Sequence, residues 1–84
     1  MNNVIMREIT LTDTYQPLAT EQTVVSMTVN CLPTNAGNAI FKGDDGSDVP
    51  WLPGEWHTFY RVDLAAIEVK GTPGDKITLI GGTW

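Results

Sequence analysis

The sequence predicts an all-β domain: a small antiparallel β-sandwich of jelly-roll type with about six to eight short strands, the alternative being a small β-barrel. Three observations carry this reading. Val25, Met27, Val29 and Cys31 alternate with Ser26, Thr28 and Asn30, which is the two-residue period of a half-buried strand. Turn chemistry punctuates the chain at short intervals, most sharply at Thr72-Pro73-Gly74-Asp75, where Pro presets φ and Gly accepts a positive φ. No stretch shows helical periodicity.

In chain order, Met1–Met6 reads as an N-terminal arm, either flexible or in contact with a neighbouring subunit. Arg7–Thr12 is the first strand, with Ile9 and Leu11 inward. Asp13–Leu18 is a loop in which Pro17 extends Gln16. Glu21–Leu32 is the longest strand, and Cys31 falls in phase with its apolar set as a small buried hydrophobe. Pro33 stops it. Thr34–Asn38 is turn chemistry leading to Ala39–Lys42, read as the second arm of a hairpin. Gly43–Asp48 is an acidic loop. Val49–Pro53 is apolar but broken by two prolines, which confines it to a sheet edge or a barrel end. Trp56–Val62 carries aromatics on both faces, as for a strand covered on both sides or lying at a subunit contact. Leu64–Ile67 is at most a helical turn. Ile67–Lys70 and Lys76–Ile80 are the last two strands, with Gly81-Gly82 ending the second. The expected core is Ile9, Leu11, Val25, Met27, Val29, Ile40, Tyr60, Val62, Ile67, Val69, Ile77 and Leu79.

Eighty-four residues make a single domain, residues 1–84. A chain of this size buries roughly 60–65% of its unfolded surface, so small scaffolds rely on disulfides, metals or oligomerisation. One cysteine excludes an internal disulfide, and one histidine, His57, argues against a zinc cluster. Self-association is the remaining device. A net charge of −5 argues against nucleic acid. No apolar run approaches a membrane span and no signal peptide is visible. A lone thiol fits synthesis in a reducing cytoplasm.

Candidate chemistry is sparse. Asp44, Asp45 and Asp48 offer oxygen ligands but lack the spacing of a calcium loop, so they read as a solvated turn and no metal is expected. Glu55 and His57 share a strand face, but no nucleophile is tied to them. The glycine-rich pieces lack the residues of a phosphate loop. Neither catalysis nor a cofactor is expected. Trp51, Trp56, Trp84 and Tyr60 suit either a protein interface or a sugar-stacking platform. Contacts are expected from Val4, Ile5 and Met6 of the arm, from Asp44, Asp45, Asp48, Trp51 and Leu52 of the loop region, and from Trp84.

Leu11-Thr12-Asp13-Thr14-Tyr15-Gln16-Pro17-Leu18, then Gly46-Ser47-Asp48-Val49-Pro50-Trp51-Leu52-Pro53-Gly54-Glu55, then Val69-Lys70-Gly71-Thr72-Pro73-Gly74-Asp75-Lys76-Ile77 resemble short β proteins encoded among tailed-phage structural genes. The resemblance implies a compact sandwich or jelly roll in a virion, forming rings or trimers. The expectation is a non-enzymatic capsid decoration or cement protein, made in the host cytoplasm, acting as a trimer or hexamer on capsid or other virion proteins. A carbohydrate-binding module using exposed tryptophans is the alternative, and a phage assembly chaperone or inhibitor the third reading.

Overall fold

Eight strands follow one another in the computed structural model, which describes residues 3–83. They are β1 (Asn3–Thr10), β2 (Gln16–Pro17), β3 (Val24–Cys31), β4 (Ala39–Lys42), β5 (Val49–Trp51), β6 (Trp56–Asp63), β7 (Glu68–Lys70) and β8 (Lys76–Thr83). A first sheet has the order β1-β8-β3-β6 and a second the order β2-β7-β4-β5. All pairings are antiparallel. Nested pairs β1·β8, β2·β7, β3·β6 and β4·β5 form one ribbon, which folds over so that β3 meets β8 and β4 meets β7. That order is the jelly roll. Both sheets keep free edges, so the barrel alternative is excluded.

Several expectations change. The first strand begins at Asn3, not Arg7: Asn3 pairs with Thr83 and the ladder continues without a break to Thr10 and Lys76. Asn3–Met6 is therefore strand and not a loose arm, while Met1 and Asn2 lie outside the described residues. The turn after β3 does not close a hairpin, because β4 belongs to the other sheet. Asn35 anchors this crossing by donating to the Lys76 carbonyl at 2.8 Å and accepting from the Lys76 N–H at 2.9 Å. The buried Asp75 carboxylate takes the Ala36 and Gly37 N–H groups at 2.9 and 3.0 Å. The Thr72–Asp75 turn forms as expected, with Gly74 at φ 95° and the Asp75 N–H on the Thr72 carbonyl, but it too carries the chain between sheets. β5 lies at a sheet edge, as its prolines require. Leu64–Ala66 is a single 3₁₀ turn capped by the Asp63 carboxylate.

The core lies between the sheets and is built mainly from alternate residues of the strands. Leu11, Val25, Val29, Cys31, Leu64, Val69, Ile77 and Leu79 are essentially inaccessible, each large apolar side chain contributing roughly 1.5–3 kcal/mol. Two expected core residues fall elsewhere. Ile40 is half-buried because Ala39 and Phe41 are the inward pair of β4. Tyr60 is 76% exposed. A bulge explains Tyr60: Val25 pairs with Val62 but Met27 with Phe59, so β6 carries one extra residue opposite Ser26. Arg61 absorbs it at φ 54°, donating its N–H to the Ser26 hydroxyl at 3.0 Å. The phase flips there, turning Phe59 and Val62 inward and Tyr60 outward.

Two backbone constraints are testable by urea unfolding. A Cβ at Gly81 would lie 2.6 Å from the Met27 Cα, in backbone that cannot swing away, so Gly81→Ala is expected to cost about 1–3 kcal/mol. Arg61→Val puts a β-branched residue in the left-handed region and is expected to cost about 1 kcal/mol or more, whereas Arg61→Gly keeps or raises the midpoint.

Candidate functional site

The outward faces of the two sheets differ in chemistry. On the second sheet, Lys42 and Glu68 stand opposite each other with a 3.6 Å ion pair. The Tyr15 ring lies over this face, with the Lys42 and Lys70 ammonium groups 4.2 and 4.7 Å from its centroid, a cation–π arrangement. Its hydroxyl donates to Asp48. Partial burial of the ring, and then the Asp48 carboxylate, push the phenol up to about 12. The polar groups on this face have partners within the chain.

The first sheet presents the opposite case. Inward placement of Ile5, Val29, Ile77 and Leu79 forces their neighbours outward. Met6, Ile80, Thr28 and Thr58 form one cross-strand row over all four strands. Val4, Tyr60 and Trp56 flank that row on the same face. The apolar members are 57% (Ile80) to 76% (Tyr60) exposed. Between Tyr60, Thr58 and Ile80 lies a shallow hollow of about 230 Å³. Glu8 and Lys76, paired at 3.5 Å, mark one end of the face, and Arg61 sits at the bulge on its margin. The exposed apolar side chains are thus interleaved with uncharged Thr, Ser and Asn side chains, and this face holds most of the large apolar groups that the described residues leave to solvent.

A second concavity opens between β5 and β6, at the free edges of the two sheets. It is a cleft of about 200 Å³ lined by Phe41, Val49, Trp51, Phe59 and Ile67. Trp51 is its wall and not an exposed platform. It is 5% exposed, stacks on Phe41 at 3.9 Å and meets the His57 ring edge-on at 4.7 Å.

The expected contact residues therefore separate. Val4 and Met6 project from the first sheet, whereas Ile5 between them is buried in the core, since adjacent strand residues face opposite ways. Trp51 is likewise withdrawn from contact. Asp44 and Asp45 are exposed in the β4–β5 turn, and the Ser47 N–H bonded to Asp45 holds that carboxyl below its usual range. Asp48 is engaged by Tyr15. Asp45 and Asp48 turn to different partners, and among the described residues no three of His, Cys, Asp and Glu converge. Leu52 is 62% exposed. Trp84 lies outside the described residues.

Glu55 and His57 meet at 2.6 Å. The second Glu55 oxygen accepts the Leu52 N–H at 3.1 Å, and His57 followed by that N–H lowers the Glu55 carboxyl. The pair clamps the β5–β6 turn. Sequence reasoning missed Ile80 as a contact residue, although its place out of phase with Ile77 and Leu79 was a signal for it. No known protein family, characterised protein or solved structure matches this chain.

The Tyr15 environment sets an alkaline limit. An unfolded phenol ionises near pH 10 while the folded one holds its proton to about pH 12. Stability linked to Tyr15 is therefore complete below pH 10 and is lost as pH rises from there to about pH 12. Absorbance titration at 295 nm is expected to show one tyrosine ionising near pH 12 in the wild type and at lower pH in Asp48→Asn.

Proposed function

We propose that this chain is a non-enzymatic structural subunit of a tailed-phage virion, a capsid decoration or cement protein that works as a homo-oligomer. One observation carries the structural part of the reading: the outward face of β1-β8-β3-β6 exposes Val4, Met6, Trp56, Tyr60 and Ile80 among uncharged Thr, Ser and Asn side chains, with its charges confined to the ends of the strands, in a chain of net charge −5. The virion part rests on the resemblance of the Leu11–Leu18, Gly46–Glu55 and Val69–Ile77 segments to short phage structural proteins. A rigid jelly-roll subunit adds to an assembly by repetition: each copy makes a few weak contacts, and symmetry multiplies them. The exposed turns around Asp44, Asp45 and Leu52 remain free to touch a second virion protein while the first sheet meets another subunit.

A sugar-binding reading is favoured by one observation only. Trp56 and Tyr60 stand on the same exposed face of β6, and such rings can stack on pyranose faces. The burial of Trp51 removes it from that platform.

A mass-spectrometric census of purified particles whose genome encodes the chain tests the assignment. The expected result is stoichiometric incorporation in the particle. Abundance in the lysate with absence from particles would overturn it in favour of an assembly chaperone or inhibitor. Oligosaccharide binding lost on Trp56→Ala, by a chain absent from particles, would favour the sugar module.

A further inference from the structure

We infer that the outward face of β1-β8-β3-β6 is a two-fold interface whose occupant is a second copy of this chain. The inference deepens the proposed function by naming the contact surface, and it rests on that reading's premise of self-association but not on a place in a virion.

Size is the first argument. β1, β3, β6 and β8 each contribute eight residues, so the face measures about 19 Å across the strands and 26 Å along them, roughly 500 Å² of footprint. Two copies face to face cover roughly 1,000 Å², the lower limit of a specific interface. Charge is the second. Ten acidic residues against five basic ones make like copies repel. The Glu8–Lys76 pair is neutral, and Arg61 and Asp63, one of each sign, lie at the bulge end of β6, so this face carries no negative excess. Asp44, Asp45, Asp48 and Glu68 all lie on the second-sheet side. Here two copies can meet without opposing their acidic groups.

Shape is the third. Met6 and Thr58 stand at opposite ends of the row Met6–Ile80–Thr28–Thr58. A two-fold axis running along the strands between β8 and β3 sets Met6 of each copy over Thr58 of the other. That position borders the hollow beside Tyr60, where a flexible thioether packs well against a ring. Ile80 falls over Thr28 by the same operation. The next row, Glu8–Thr78–Asn30–Trp56, sets Glu8 over Trp56, so the operation opposes no two like charges, a condition of an isologous contact.

Sedimentation velocity over a concentration series tests the inference. The wild type is expected to dimerise with a Kd in the micromolar range, as for a small interface. Ile80→Asp places an unpaired charge twice in the contact and is expected to raise the Kd about 100-fold or more while the melting profile stays that of a folded chain. Met6→Asp serves as a second variant at a site exposed to solvent. Leu52→Asp adds the same charge on the β5–β6 turn and is expected to leave the dimer intact. A wild type that stays monomeric at millimolar concentration, or an oligomer that Ile80→Asp and Met6→Asp leave unchanged, overturns the inference. So does a monomer whose Trp56 fluorescence responds to oligosaccharides. Absence from purified particles would remove the virion assignment and leave this interface standing. A monomeric chain found on particles would do the reverse.

Discussion

The structure depends on the placement of β8 between β1 and β3. It pairs in full with β1 on one side and along six residues with β3 on the other. Its inward residues Ile77 and Leu79 are fully buried at the centre of the sandwich. The missing side chain at Gly81 lets the β3 backbone approach where a Cβ would meet Ser26 and Met27. The strand is also held at its start, because Asp75 and the Lys76 backbone bind the β3–β4 crossing through Ala36, Gly37 and Asn35. Remove this strand and β1 has no partner, the first sheet splits, and the core loses its middle.

Such an arrangement is non-local. Asn3 pairs with Thr83, and the other nested pairs close inward toward the β4–β5 hairpin. The short-range hairpin therefore forms at low entropic cost, while the outer pairs must close long loops. The same nesting decides which surfaces are left over. The second sheet has short strands, and Tyr15 from the β1–β2 connection folds across it to engage Lys42, Lys70 and Asp48. The first sheet has four eight-residue strands, and no described segment crosses its outward face.

What the sequence revealed and what it concealed follow from distance along the chain. The run from Val25 to Cys31 reads directly because its alternation is local, and so does the Pro73-Gly74 turn. Val49-Pro50-Trp51 was legible as an edge because proline cannot serve a central ladder. Asn3–Met6 was not legible as strand, since its partner lies at the other end of the chain and its own pattern is short. The β6 bulge was hidden for a different reason. A Ser26 hydroxyl accepting from Arg61 leaves no mark on the periodicity of β6, so Tyr60 counted as core one register too far. Trp51 misled because a tryptophan between prolines suggests an exposed anchor. Here the aromatic partners that bury it, Phe41 and His57, come from flanking strands whose position depends on the fold. The exposed row Met6–Ile80–Thr28–Thr58 needed the register of four strands at once, which local pattern does not provide.

The interior and the exposed face are two consequences of one limit. A chain of 84 residues has room for a single layer of side chains between its sheets, and strand parity assigns each residue either to that layer or to the outside. Val4, Met6, Trp56, Tyr60 and Ile80 are outside because Ile5, Phe59 and Leu79 are inside. They add nothing to the stability of the isolated subunit beyond local packing, yet in a chain with so small a core they are the largest apolar reserve remaining. Covering them adds stability by mass action, since an association that requires the native sheet favours the native state over the unfolded one. On the inferred interface, folding and assembly would draw on the same strands: β8 organises the core with one side and would offer Ile80 to a second copy with the other. The Arg61 bulge extends the same logic to the edge, because the extra residue that turns Val62 back into the core leaves Tyr60 on the face where a second subunit can use it.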